Sequence, residues 1–265
     1  MPIVRPTALA RAKRKHGSLL LARRHYARLH PEAREPADPT PFGYFHASQG
    51  EGTAAYGCDG FISVWDRKIN QPPGPSDNDH SLMQLWLLDQ PSGQSVEFGW
   101  TVDQGLNRDT SPHIFSFYTT NNWGQPGDNV GGYNQTDKGW VQTSAKIYPG
   151  ALLTNVSALG GTQVEIAFEF GSIKIIGTSA SKGETMRHYP ATLFGGSGMS
   201  QSAASILFGG EVFSGLADPT LTKNQMGSGR QPTAGRLYAK SARTNRYGGD
   251  DAGLLGRVCV RQQLG

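Results

Sequence analysis

Short runs of apolar residues, separated by turn-forming residues, follow one another along the chain from about residue 42. In residues 81–89 both faces of an extended strand are apolar, with Leu82, Trp86 and Leu88 on one face and Met83, Leu85 and Leu87 on the other. Such a strand is predicted to be buried between two layers. Similar runs predict strands over residues 61–65, 96–102, 113–119, 140–144, 164–170, 172–176 and 205–213.

Glycine-rich and proline-rich turn clusters lie between these runs, and no helical periodicity connects them. Glycine accounts for 35 of the 265 residues, well above the usual ~7%. Many short strands joined by turns favour an all-β domain over alternating β and α units. We therefore predict an antiparallel β-sandwich of two packed sheets, of the jelly-roll or concanavalin-like type. No apolar run is long enough to span a membrane.

The excess of basic over acidic residues is confined to the beginning of the chain. Residues 1–40 contain nine Lys and Arg against three acidic residues, whereas the remainder contains 16 basic and 18 acidic residues. We expect residues 1–41 to form a basic N-terminal arm and linker, with the remnant of a pro-segment as one interpretation, and residues 42–265 to form the folded domain. Because the folded part has no basic excess, nucleic acid is not an expected partner. The arm could contact an acidic surface, or it could simply be solvated or removed.

Common catalytic and metal-binding signatures are absent from the sequence. It contains no Gly-x-Ser-x-Gly, P-loop or His-Glu-x-x-His motif, and its seven histidines show no ligand spacing. Cys58 and Cys259 could form a disulfide or remain buried thiols, and both alternatives stay open. We therefore expect neither a metal nor an organic cofactor.

Two glutamates stand out because each lies inside an apolar strand beside glycine. Glu97 is in Val96-Glu97-Phe98-Gly99-Trp100, and Glu211 follows Gly209-Gly210. A carboxyl group in such a strand is desolvated, which should raise its pKa, and two neighbouring carboxyl groups would titrate as a coupled pair. Such a pair could activate water. The alternative is that each glutamate faces solvent from an edge strand.

Seven short motifs follow one another along the chain. They are Ser81-Leu82-Met83-Gln84-Leu85-Trp86, Glu97-Phe98-Gly99-Trp100-Thr101-Val102, Pro112-His113-Ile114-Phe115-Ser116-Phe117-Tyr118-Thr119, Gly139-Trp140-Val141-Gln142, Tyr189-Pro190-Ala191-Thr192-Leu193-Phe194, Phe208-Gly209-Gly210-Glu211-Val212 and Met226-Gly227-Ser228-Gly229. Their order is more specific than any single motif, and it makes the stretch from about residue 54 to residue 230 similar to the neprosin family of glutamic prolyl endopeptidases.

The resemblance implies a two-sheet fold and places the catalytic glutamates of the family on Glu97 and Glu211. It predicts cleavage after proline by a mechanism in which one glutamate activates water and the other donates a proton, at acidic pH. Which glutamate has which role stays open.

Four further residues are candidate site residues. Gln84 and Tyr118 are candidates for hydrogen bonds to the oxyanion, although each could equally make a structural hydrogen bond. Trp86 and Trp100 are candidate walls of a cleft for a prolyl ring, although core packing could also explain them.

The expected partner is a peptide or protein substrate, for which a proline-rich sequence is one option. The enzyme is expected to be secreted or extracellular and to be a monomer. Neither nucleic acid nor membrane is an expected partner. The location follows from the resemblance, since residues 1–30 do not form a clear signal peptide. Carboxylates and tryptophans on a β-sheet are also typical of glycoside hydrolases and lectins. A carbohydrate-active sandwich is therefore the alternative function, and a catalytically inactive binding module is a third.

Overall fold

A computed structural model describes residues 44–55, 58–69, 79–120, 131–135, 139–142, 144–170, 179–180, 184–185, 187–214 and 223–229, and the structural statements below concern these residues. The predicted N-terminal arm, the strand predicted over residues 172–176 and Cys259 lie outside them. Cys58 is buried.

Strands make up most of the regular structure in the described residues. They are β1 (Tyr44–Ala55), β2 (Cys58–Ser63), β3 (His80–Asp89), β4 (Gln94–Asp103), β5 (Pro112–Thr119), β6 (Gly131–Tyr133), β7 (Val141–Gln142), β8 (Glu165–Phe170), β9 (Ser179–Ala180), β10 (Glu184–Thr185), β11 (Arg187–His188) and β12 (Ala203–Phe213). One four-residue helix, α1 (Gln104–Asn107), and two 3₁₀ turns, Ala191–Phe194 and Gly198–Ser200, complete the described elements. The predicted all-β fold class is confirmed. Across the described ranges, we find no helix with the length and apolar character that a membrane crossing requires.

Six strands form one strongly curled antiparallel sheet, in the order β1-β12-β3-β4-β5-β6. Strands β3, β4 and β5 follow one another as a meander, whereas β12 inserts between β1 and β3 from more than 100 residues further along the chain. This insertion makes β3 a central strand, with β4 on one side and β12 on the other.

The remaining strands form two-stranded pairs: β2 with β8, β7 with β11, and β9 with β10. The β2–β8 pair contributes Ile62 and Phe168 to the same apolar cluster as Met83 and Phe208 of the large sheet, and the Phe168 and Phe208 rings lie 6.3 Å apart. The pair therefore packs on one face of the large sheet. The described strands do not by themselves establish the predicted two-sheet jelly roll.

Strand register divides the large sheet into two faces. One, here called the core face, carries Met83, Leu85, Phe98, Trp100 and Ile206, which all belong to the main apolar cluster. The opposite face carries the alternate residues of the same strands, including both glutamates, and is here called the glutamate face. Every residue of β4 and β5, and all but the last of β3, is buried, as predicted for a strand apolar on both sides.

Candidate functional site

The two glutamates lie on the same face of the sheet, on the two strands that flank β3. Glu97 on β4 is the register partner of Trp86, and Glu211 on β12 is the register partner of Leu82. Midway between these positions lies Gln84, whose own partners are glycines on both sides. Since cross-strand partners project from the same face, the register assembles a row of carboxyl, amide and carboxyl groups running diagonally across three strands.

These three polar side chains are buried: Glu97 is 2% exposed, and Gln84 and Glu211 are fully inaccessible. The amide of Gln84 is exceptional because neither its Nε2 nor its Oε1 has a hydrogen-bond partner among the described residues. A buried amide without a partner costs free energy, and natural structures contain few of them. The described part of the fold therefore gives the Gln84 amide no structural hydrogen bond.

The glycine partner of Gln84 on β4 permits an unusually close approach of the two strands. A Cβ atom on Gly99 would lie 1.9 Å from the carbonyl oxygen of Met83 and 2.8 Å from the Cα of Gln84. Both neighbours are backbone atoms and cannot move aside cheaply. Glycine beside the glutamate is thus required for strand packing, which gives a structural reason for the Glu-x-Gly-Trp motif.

Glu211 is paired with a histidine that the sequence analysis did not select. Nε2 of His80 lies 2.8 Å from Oε1 of Glu211, with the two side chains 0% and 1% exposed. The imidazole ring also stacks on the ring of Phe213, with centroids 5.8 Å apart. His80 precedes the Ser-x-x-Gln-x-Trp motif and has the same parity as Gln84, so strand periodicity alone places it on the same face. Its pairing with a residue 131 positions away depends on the position of β12.

A segment near the end of the described chain supports this end of the site. Asn224 donates through Nδ2 to Oδ2 of Asp79 at 3.2 Å and to the carbonyl oxygen of Phe213 at 2.5 Å. Ser81 donates to the carbonyl oxygen of Gln225. These contacts tie the first residues of β3 to the last residue of β12, where the histidine and glutamate meet.

The other end of the polar row is apolar. Trp86, Leu88 and Leu207 form a small buried cluster on the glutamate face. The indole of Trp86 lies directly across from Glu97 in the strand register, so this tryptophan is close to the glutamate, as a candidate cleft wall should be.

Trp100 and Tyr118 are not brought together with the glutamates. Trp100 is three residues from Glu97 on the same strand, so it projects from the core face, where its Nε1 donates to the carbonyl oxygen of Ser63 at 2.8 Å. Tyr118 is the register partner of Val96 and also lies on the core face, 4.6 Å from the Tyr189 ring. Their predicted roles at the site therefore lack the geometric support that Gln84 and Trp86 have.

Carboxylate and imidazole groups are not clustered in a way typical of a metal centre. Among the described residues there is no group of three or more His, Cys, Asp or Glu side chains that could hold a metal ion. The chemistry available from the assembled side chains is that of two carboxyl groups, an amide and one imidazole: proton transfer and hydrogen bonding.

These observations define a β-rich protein with a buried carboxyl–amide–carboxyl row on one face of a six-stranded antiparallel sheet. Residues 77–251, well over half of the chain, match the model of the Neprosin family. The chain belongs to the Neprosin family, as the order of motifs predicted. This family is associated with peptidase activity, and the matched region contains both glutamates and the strands that carry them.

Proposed function

We propose that the protein is a glutamic endopeptidase in which Glu97 and Glu211 together activate water for peptide hydrolysis. The observation that carries the proposal is the polar row itself: two buried carboxyl groups on one sheet face, with the unpartnered amide of Gln84 between them. Family membership supports the reaction class.

The register supports a gap between the carboxyl groups. Glu97 and Glu211 are separated by two strand spacings and four residues along the strand, which in a flat sheet would place their Cα atoms ~16 Å apart. Gln84 lies between the two glutamate positions in the register, so the two carboxyl groups flank its amide on the glutamate face. Such a gap suits a water molecule and a substrate carbonyl better than direct contact between the two acids.

In the proposed reaction one carboxylate removes a proton from water as the water oxygen bonds to the carbonyl carbon. The other glutamate, protonated, donates its proton to the carbonyl oxygen. The Gln84 amide donates a hydrogen bond to the same oxygen as its charge develops. The tetrahedral intermediate then collapses, the C–N bond breaks, and the amine leaves with a proton returned by the carboxyl pair.

The near-complete burial of these side chains has a kinetic consequence. A peptide can reach them only if the glutamate face becomes accessible, so we expect a lag before steady hydrolysis. Trp86, with Leu88 and Leu207, would provide the apolar surface beside Glu97 for a prolyl ring. We propose cleavage after proline on this basis and on the family resemblance.

The remaining features of the proposal follow from the family resemblance and the packing. The enzyme would act outside the cell as a monomer, without a metal or an organic cofactor. The packing of the β2–β8 pair on the core face supports a two-layer sandwich as the complete fold.

The deciding experiment is hydrolysis of a peptide library by the full chain between pH 3 and 8, with Glu97→Gln and Glu211→Gln beside the wild type. Each amide keeps the shape of the side chain but cannot exchange a proton, so each variant should lose activity while remaining folded. Full activity in either variant would remove that residue from the mechanism. Activity on a polysaccharide panel instead of peptides would favour a carbohydrate-active enzyme, and inactivity on both would favour a binding module.

A further inference from the structure

The two glutamates of the site have different surroundings. Glu211 makes a buried 2.8 Å hydrogen bond with the imidazole of His80. Glu97 has two aromatic register partners, Trp86 on β3 and Phe117 on β5. An imidazole N–H that donates a hydrogen bond to a carboxylate stabilises its ionised form. Carboxyl pairs whose environments differ in this way divide the acid and base roles between them.

We infer that His80 is a positioning residue that donates a hydrogen bond from Nε2 to Glu211 and holds this carboxylate ionised and oriented as the general base, which leaves Glu97 as the proton donor. The inference rests on the proposed peptidase function. An ionised carboxylate can only accept a hydrogen bond, so this assignment places a proton on Nε2 of the imidazole.

The packing around His80 leaves the ring little freedom. Phe213 stacks on one side of the imidazole, and the Asn224 bonds to Asp79 and to the Phe213 carbonyl fix the strand ends that carry the pair. A side chain held by stacking and by a tied backbone is preorganised, which is the requirement for a group that orients a catalytic residue.

Charged groups near His80 in the register are acidic. Asp103 is its partner on β4 and Asp79 precedes it in sequence, and both are buried. Asp103 accepts a hydrogen bond from the Leu106 backbone at the start of α1. On the far side of Glu211, the register partner on β1 is His46. The pH dependence of the His80–Glu211 pair is therefore interpreted with these neighbouring titratable groups in mind.

The test compares His80→Phe, which keeps a flat ring on Phe213 but removes the donor, with His80→Gln, whose amide can place a donor close to Nε2. His113→Phe is the control on the same sheet face, because the ring nitrogens of His113 contact the carbonyl oxygen of Gly150 at 2.9 Å and the carboxylate of Asp109 at 3.0 Å instead of a glutamate. Hydrolysis of an internally quenched proline-containing peptide is measured from pH 3 to 8, and folding is monitored by circular dichroism.

We expect His80→Phe to lower kcat about tenfold, the value of one hydrogen bond to a charged group. The acid limb of its kcat/KM profile should move up by about one pH unit, because Glu211 then keeps its proton more readily. His80→Gln should restore most of kcat, and His113→Phe should leave the profile in place. An unmoved acid limb in a folded His80→Phe would overturn the inference, even if the glutamate variants confirm the peptidase.

A second measurement does not depend on activity. In histidine-labelled ¹⁵N NMR spectra of the full chain, one ring should show a protonated Nε2 that exchanges slowly with water and that changes in Glu211→Gln. A His80 ring that exchanges freely, or one that is indifferent to Glu211→Gln, would reject the pairing. If the wild type instead shows the pairing but hydrolyses no peptide, the proposed function fails and the hydrogen bond remains a structural one.

Discussion

Gln84 offers the sharpest test of whether this sheet face evolved for chemistry or for stability. Both ends of its amide are buried without a partner, and an unsatisfied buried group costs about 1–3 kcal/mol. Methionine has a similar shape and no amide, so Gln84→Met removes this cost. We therefore expect the variant to be more stable than the wild type by about 1–3 kcal/mol, or roughly 2–10 °C in Tm for a domain of this size.

The same substitution should damage catalysis, because the proposed oxyanion donor is lost. Removal of one such donor lowers kcat about 10²–10³-fold in enzymes that stabilise an oxyanion. The combined expectation is a more stable and much less active protein, which is the opposite of a merely structural mutation. Thermal melting and the peptide assay, run on the same preparation, measure both quantities.

Gln94 provides a control for which substitution by methionine should lower the stability instead of raising it. It is also buried, but its Nε2 donates to the carbonyl oxygen of Phe194 at 3.1 Å and its Oε1 accepts from the backbone N–H of Met199 at 2.9 Å. Gln94→Met leaves both backbone partners unsatisfied and should lower stability by about 1–3 kcal/mol for each group. If Gln84→Met is destabilised as much as Gln94→Met, Gln84 makes a structural hydrogen bond and the reasoning is wrong. If it is stabilised but fully active, only the oxyanion role is rejected.

Three further outcomes are expected. Two carboxyl groups that act on one water molecule do not both ionise at low cost, so one pKa of the pair should lie above and the other below the ~4.3 of model glutamate. The rate should therefore follow a bell-shaped pH profile with its maximum in acid, and a maximum at pH 7–8 would exclude the pair. Gly99→Ala should unfold the sheet or lower its Tm sharply, since its Cβ would meet the Met83 carbonyl oxygen at 1.9 Å, and an unchanged melting curve would show that the strands can separate locally. Mass spectrometry of a digested proteome should show proline before the cleaved bond. Among the variants that fold, Trp86→Ala should weaken this preference more than Trp100→Ala. Equal effects would mean that the glutamate face does not determine specificity.

The positions of most described strands, and the location of both glutamates inside apolar strands, could be predicted from the sequence because they depend on local pattern. The alternation around Gln84 places β3 correctly and shows that both faces are buried. Glycine near Glu97 marked a position where strands approach closely, whereas Gly210 beside Glu211 leaves room for the Met226 side chain. Glu97 and Trp100 are three residues apart in β4, so the alternation of a strand by itself places them on opposite faces. Trp100 was nevertheless proposed as a cleft wall because it is a tryptophan, without regard to the face on which it lies.

Tertiary structure decided which strands are neighbours. Strand β1 was not predicted, because Tyr44–Ala55 is rich in glycine and polar residues and has no clear alternation. Tyr118 could be assigned to the core face only from the pairing of β4 with β5. The His80–Glu211 bond exists because β12 inserts beside β3 and joins residues 131 positions apart. The register between strands that are distant in the sequence is set by the packing of their buried faces. The pattern within one strand does not identify the strand with which it pairs.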